Sequence, residues 1–286
     1  MKKNFTKVIS TILAISIILS TVVLSAYAET DLNYETAAYT GEEITPIVSL
    51  YDAGTALVDG TDYDLSYKNN VNVGTATVTI TFKGNYTGTR EVNFNIIARK
   101  LSDSDITFST IDKQTYTGSE ITPTPTIKCG DVTLEKDKDY TLSYKNNINV
   151  GTATVNVTFI GNYEGKASTT FEIIADVLST EKVSFSKIDN QTYTGREIKP
   201  EPTITYGPVT LEKGKDYTLS YDNNVNVGTA TVTVAFMGNY AGNASTTFEI
   251  VAKSADESNV TISAIPDQTY TGSEITPKPT VKDITR

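Results

Sequence analysis

Residues 72–88 read NVGTATVTITFKGNYTG, residues 149–165 read NVGTATVNVTFIGNYEG, and residues 226–242 read NVGTATVTVAFMGNYAG, each 77 residues after the last. The middle of the stretch alternates strictly. Ala76, Val78, Ile80 and Phe82 share one parity, and Thr75, Thr77, Thr79 and Thr81 share the other. Side chains of a strand point to opposite faces with a period of two. One face is therefore apolar and the other rich in hydroxyls, the pattern of an antiparallel strand with one side in a core and one in water. Gly84-Asn85 then signals a turn.

The period extends outward on both sides. Tyr-Thr-Gly recurs at Tyr39, Tyr116, Tyr193 and Tyr270, followed by EEITPIVSL, SEITPTPTIK, REIKPEPTIT and SEITPKPTVK. DYDLSYKNN at 62–70 returns as DYTLSYKNN at 139–147 and DYTLSYDNN at 216–224. Each unit ends on an alternating triplet, apolar on either side of a polar residue: Phe94-Asn95-Ile96, Phe171-Glu172-Ile173, Phe248-Glu249-Ile250. A fixed period of this size means an array of similar small units. Within one unit, turn signals separate about six short strands, and Pro123 and Pro125 confine their segment to an edge because proline cannot donate to a ladder. The expected fold class is all-β, a tandem array of immunoglobulin-like β-sandwich domains. The expected limits are 29–98, 101–175 and 179–252, with residues 260–286 as the start of a fourth unit. The linkers near 98–105, 175–182 and 252–259 are short and predict limited hinging. Three sandwiches end to end would span on the order of 100 Å. Glu29 and Asp31 stand where the second repeat has Ile106 and Phe108, so the first strand of repeat one is expected to use Leu32 and Tyr34 in a slipped register. Residues 260–286 carry the first strands of a unit without the rest. They are expected to be disordered or to lean on repeat three, as in the front part of a longer protein.

The chain begins with a targeting pattern. Lys2, Lys3 and Lys7 precede an apolar run from Val8 to Leu24, and Ala26-Tyr27-Ala28 is a small-x-small cleavage site. Residues 1–28 thus read as a secretory signal peptide, with no membrane span afterwards. Its removal takes three lysines and no acid, leaving 21 basic against 34 acidic residues. That balance argues against nucleic acid or an anionic membrane as partner. One cysteine, Cys129, allows no disulfide within the chain; its counterparts are Asp52 and Tyr206, so no thiol is needed at that position.

The residue inventory excludes most catalysis. There is no histidine, which removes the commonest general base and any histidine-based triad. No phosphate loop or nucleophile elbow is present, and acids such as Asp62, Asp139 and Asp216 recur as turn residues. No enzyme activity and no cofactor are expected. Asp59, Asp62 and Asp64 crowd one loop and form a candidate calcium site, although Asp59 becomes Lys136 and Lys213 in the other copies. An internal lysine isopeptide needs a core-facing lysine, yet Lys83 is replaced by Ile160 and Met237. Thirteen of 17 tyrosines fall in four repeated columns and read as packing residues; Tyr51 and Tyr206 fall outside them and are the candidate ligand-contacting aromatics.

The combination of YTG-x-EI-x-P, DYTLSY-x-NN, NVGTATV and GNY-x-G resembles the tandem bacterial immunoglobulin-like repeats of secreted and surface proteins of Gram-positive bacteria. The resemblance covers nearly all of residues 34–286. It implies a non-enzymatic extracellular stalk or spacer. The alternative is an adhesin or glycan-binding module, whose partner would be a host or cell-wall glycan or protein. It carries over no catalytic residues.

Overall fold

A computed structural model describes residues 29–32, 36–255 and 260–284; the signal-peptide reading of residues 1–28 lies outside them, as does Tyr34. The first repeat contains β1 (Glu29–Leu32), β2 (Thr36–Ala38), β3 (Val48–Asp52), β4 (Thr55–Ala56), β5 (Tyr63–Lys68), β6 (Gly74–Phe82) and β7 (Gly88–Ile97). After β8 (Arg99–Leu101) the second repeat contains β9 (Thr107–Phe108), β10 (Gln114–Thr115), β11 (Ile127–Cys129), β12 (Val132–Thr133), β13 (Tyr140–Lys145), β14 (Gly151–Phe159) and β15 (Tyr163–Ile174). After β16 (Asp176–Ser179) come β17 (Ser184–Phe185), β18 (Gln191–Thr192), β19 (Ile204–Tyr206), β20 (Val209–Thr210), β21 (Tyr217–Asp222), β22 (Gly228–Phe236) and β23 (Tyr240–Val251). β24 (Val260–Ile262) and β25 (Val281–Asp283) end the described chain.

Each repeat builds two sheets, so the fold is an all-β, immunoglobulin-like sandwich class. In the second repeat one sheet runs β10-β15-β14-β13 and the other β12-β11-β9. The first repeat gives β2-β7-β6-β5 with β1-β3-β4, and the third gives a β23-β22-β21 meander joined by β18, with β17-β19-β20. The alternating strand is the centre of each meander. Ala76, Val78 and Ile80 are buried, as are Ala153, Val155, Val157 and Phe159, and Ala230, Val232, Val234 and Phe236. The threonine parity is exposed or half-buried. The strands open at Gly74, Gly151 and Gly228 rather than at the preceding asparagines, because φ values of 141°, 136° and 131° take the backbone out of the ordinary extended region.

The Asn-Asn pair after β5, β13 and β21 divides two tasks. The first asparagine takes φ of 57°, 57° and 54° at Asn69, Asn146 and Asn223, a conformation that asparagine tolerates. The second is buried and clamps the proline segment: Asn147 Nδ2 donates to Ile121 O at 3.2 Å, and Ile121 N donates to Asn147 O at 2.8 Å. The same exchange ties Asn70 to Ile44 and Asn224 to Ile198. The prolines themselves lie outside any strand. Their segment is held by tyrosine hydroxyls instead: Tyr144 to Pro123 O at 2.9 Å, Tyr221 to Pro200 O at 2.8 Å and Tyr67 to Pro46 O at 3.1 Å. Tyr144→Phe removes one such bond while keeping the ring. It should cost about 0.5–1.5 kcal/mol in denaturant unfolding of the second unit; an unchanged midpoint would show that water replaces the tether.

Three details differ from expectation, and one, the slipped register of the first strand, agrees with it. Each repeat has seven strands, because Thr36–Ala38, Gln114–Thr115 and Gln191–Thr192 run parallel to the last strand of their repeat. In repeat one β1 pairs with β3 as Thr30↔Leu50 and Leu32↔Val48, whereas repeat two pairs Phe108↔Ile127; as expected the register is slipped, by one residue, which puts Leu32 opposite Val48. The linkers contain strands: β8 pairs with β15, and β16 runs parallel to β23. Residues 260–262 and 281–283 pair as a two-stranded sheet, and Lys253 Nζ reaches Asp283 at 3.0 Å.

The chain divides into two compact units. One holds the chain to Arg99 together with Gly161–Tyr163, and the other holds residues 100–160 and 164–286. The second and third repeats therefore share one unit.

Candidate functional site

Two repeated motifs flank the central strand: Asn-Val-Gly before it and Gly-Asn-Tyr-x-Gly after it. The structure uses both at the joints between repeats. A side-chain amide presents a donor and an acceptor together, so an asparagine can pair at once with a backbone N–H and a second amide. Asn239 does this in the second unit. Its Oδ1 accepts from Val150 N at 2.9 Å, and its Nδ2 donates to Asn149 Oδ1 at 2.9 Å. Its backbone carbonyl accepts from Asp176 N at 3.1 Å, where the linker begins. Asn162 repeats all three contacts in the first unit, with Val73 N at 2.9 Å, Asn72 Oδ1 at 2.9 Å and Arg99 N at 3.0 Å.

Two tyrosine columns meet beside these asparagines. Tyr116, from the Tyr-Thr-Gly of repeat two, stands edge-to-face on Tyr240, from the Gly-Asn-Tyr of repeat three, with centroids 5.5 Å apart and planes at 88°. Tyr39 and Tyr163 form the same pair at 5.4 Å and 85°. Edge-to-face rings set a positive edge against a negative face. Tyr116 also packs on two hydrophobic clusters, one around Phe171 and Ile173 of repeat two and one around Leu178 and Ile204 of repeat three. A single ring thus touches the cores of both neighbours.

The linker completes the joint as a strand. β16 lies along β23 with Asp176↔Tyr240, Leu178↔Gly242 and Ser179↔Asn243. Leu178 is buried in the core of repeat three. Gly242 is required there, since a Cβ would stand 2.4 Å from Leu178 O. Thr180 Oγ1 also accepts from Ser245 N at 3.0 Å.

Burial and its neighbours at Tyr116, Asp216 and Tyr206 push the Tyr240 hydroxyl up from 10.0 to about 12. Ionisation is easier in the unfolded chain, so the joint is fully stable below pH 10 and loses stability as pH rises through about 12. Melting temperature followed from pH 8 upward should hold level and then fall across that window, and Tyr240→Phe should flatten the fall. A fall of equal steepness in the variant would assign the effect to other tyrosines.

The residues singled out from the sequence lie elsewhere or serve the fold. Tyr51 is exposed at the end of β3. Tyr206 is half-buried, 6.1 Å from the Tyr240 ring, and its hydroxyl is hydrogen-bonded to Asp176, which raises its pKa. It is a joint residue, not a free surface aromatic. Asp62 Oδ2 accepts from Val58 N at 2.8 Å and Asp64 pairs with Lys83 at 2.6 Å, while Asp59 is exposed. Among the described residues no three acidic, cysteine or histidine side chains are grouped as a metal ion needs. Asp139 and Asp216 make the same backbone contact as Asp62, to Glu135 N and Glu212 N. Cys129 is a buried free thiol. The joint residues Asn149, Asn239, Tyr116 and Tyr240 were visible only as repeated columns. The clue was a glycine three residues beyond the Gly-Asn turn that the turn itself does not need.

No known protein-family model matches the chain, and no curated protein matches it. Among solved structures it is similar to Sidekick-1 immunoglobulin domains 1–5, with 9% identity, a TM-score of 0.25, and coverage of 80% of this chain and 60% of that one. It is also similar to the Protocadherin GammaB4 extracellular domain, at 10% identity and a TM-score of 0.23, covering 82% of this chain and 51% of that one. A third, the Protocadherin gammaB7 EC3-6 cis-dimer, has 9% identity and a TM-score of 0.23, covering 81% of this chain and 75% of that one. The chain spans less than two thirds of the first two. Among the described residues no helix is long and apolar enough to cross a membrane.

Proposed function

We propose that the chain is a non-catalytic extracellular spacer of the bacterial immunoglobulin-like repeat type, and that its working part is the joint. The observation that carries this reading is the Asn239 clasp on Asn149 and Val150, seated beside the Tyr116–Tyr240 pair and the linker strand. A chain of loosely strung beads transmits no orientation. A joint with paired amides, an edge-to-face ring pair and a four-residue parallel strand resists bending and twisting at once. The most strongly repeated motifs of the sequence are then those that fix neighbour to neighbour. The signal-peptide pattern of residues 1–28 and an acidic, histidine-free composition support the extracellular and non-catalytic parts of the reading.

The test is stiffness. Val132 and Val209 are exposed and occupy the same place in successive repeats. Spin labels at these two positions, in a Cys129→Ala background, should give a narrow distance distribution. Asn239→Ala combined with Tyr116→Ala should broaden it while the far-ultraviolet strand signal persists. A broad distribution in the parent, or no broadening in the variant, would remove the spacer reading.

A further inference from the structure

The linker between repeats two and three is almost continuous strand. β15 ends at Ile174 and β16 begins at Asp176, with Ala175 alone between them. β16 lies on the outer side of β23, in the order β16-β23-β22-β21, and runs parallel to it. β15 and β23 are the long strands of their repeats, 12 residues each, or about 40 Å at ~3.3 Å per residue. The chain thus passes from the last strand of one repeat to the flank of the last strand of the next, before it enters the rest of the sandwich.

The direction of this pairing matters. β16 is entered at Asp176, beside Tyr240, and β23 is left at Val251. A pull on the chain from both sides therefore drives the two strands along each other. The ladder bonds are evenly spaced in a parallel pair, so all of them are loaded together. An antiparallel pair of terminal strands would instead open from one end, bond by bond.

β16 is also pinned against sliding. Leu178 is buried in the core of repeat three, with Gly242 against its carbonyl. Asp176 N donates to Asn239 O at 3.1 Å, and Thr180 Oγ1 accepts from Ser245 N at 3.0 Å, one tie near each end. Lys182 Nζ donates to Val177 O at 2.6 Å. Repeat two has the same parts. β8 pairs with β15, and Leu101 is buried. A Cβ at Gly165 would stand 2.2 Å from Leu101 O, and Asp103 Oδ1 accepts from Ser168 N at 2.8 Å.

We propose that the linker strands make the array a tension-bearing element: a pull along the chain passes from β15 through β16 into β23 by shear, and leaves at Val251 without loading β17 to β22. β18 is a second clamp at the exit, parallel to β23 through two residue pairs where β16 has four. It takes the load only after β16 has slipped. This role goes beyond the spacer reading, which concerns orientation. A chain with stiff joints and no strength in shear would keep that reading and lose this one.

The test is single-molecule pulling at constant force on the full chain, in a Cys129→Ala background, with two attachments compared. Both use Ala252→Cys, just past β23, paired with either Glu172→Cys or Glu181→Cys; all three positions are exposed, so the fold is the same in each. Force applied at 172 enters repeat three through β16, and force applied at 181 enters behind it. Forced unfolding follows the unfolding rate, so repeat three should last about tenfold or more longer under the same force when held at 172. Asn239→Ala opens the amide clasp but keeps the backbone carbonyl that Asp176 uses. Held at 172, it should shorten the lifetime by less than about threefold. Equal lifetimes at the two attachments would overturn the proposal. So would loss of the whole difference in Asn239→Ala, which would place the load on the clasp and not on the strand.

Discussion

Gly242→Ala should destabilise the third repeat by about 3–5 kcal/mol and release the linker strand. Two terms add. The backbone at Gly242 has φ of 93°, and a side chain there is strained by about 1–3 kcal/mol. The new Cβ would also stand 2.4 Å from Leu178 O and 3.5 Å from Leu178 C. A flexible side chain could swing away from that contact, but a backbone carbonyl held in a parallel strand cannot. The linker must lift off, and the burial of Leu178 is lost, at about 1.5–3 kcal/mol. The chain contains its own control. Gly88 has φ of 109° and nothing within 4 Å, so Gly88→Ala bears the strain without the collision and should cost about 1–3 kcal/mol. Hydrogen exchange at residues 176–179 should accelerate in Gly242→Ala. Equal losses in the two variants would mean that the linker strand contributes nothing.

Phe159→Ala should cost about 3–5 kcal/mol, the range for an aromatic ring removed from a closed core. Phe159 is 4% exposed at the end of β14, opposite Tyr140. Its counterpart Phe82 is half-buried, with Tyr86 at 6.4 Å, so Phe82→Ala should cost less. The loss at Phe159 should also reach repeat three. Tyr116 and Asn149 belong to repeat two and pack or hydrogen-bond onto repeat three, and both repeats lie in one compact unit. Hydrogen exchange resolved by repeat should rise in both. If repeat three stays fully protected while repeat two opens, the cores are independent and the joint is a soft contact.

Much of the strand plan was legible in the sequence because period-two alternation is a local property. The parity of Ala76, Val78 and Ile80 against Thr75, Thr77 and Thr79 specifies a strand and its buried face with no knowledge of the partner strands. The Asn-Asn turns were legible for a similar reason: a positive φ has few acceptable residues, and asparagine is one. Parallel pairing of Gln114–Thr115 with β15 was not legible. Two residues carry no periodicity, and the bond from Tyr116 N to Ile174 O joins positions far apart in the chain.

The limit lies where a residue's role depends on another repeat. The sequence by itself determined that the chain repeats every 77 residues, that its strands are half-buried, and that no histidine is present for catalysis. It also showed that tyrosines recur in columns, and there it stopped, because a tyrosine facing its own core and a tyrosine facing a neighbour's core look the same in one dimension. Only the tertiary structure separated them: Tyr63, Tyr140 and Tyr217 lie within their own sandwiches, while Tyr116 crosses to Tyr240. It likewise turned Tyr206 from a surface aromatic into a partner of Asp176, and gave Gly242, a repeated glycine without a role in the sequence reading, its place as the seat of Leu178 O. Alternation and turn chemistry act between chain neighbours and can be read from order alone. Hydrogen bonds such as Asn239 to Asn149 span 90 residues, and their existence is decided by how one folded repeat meets the next.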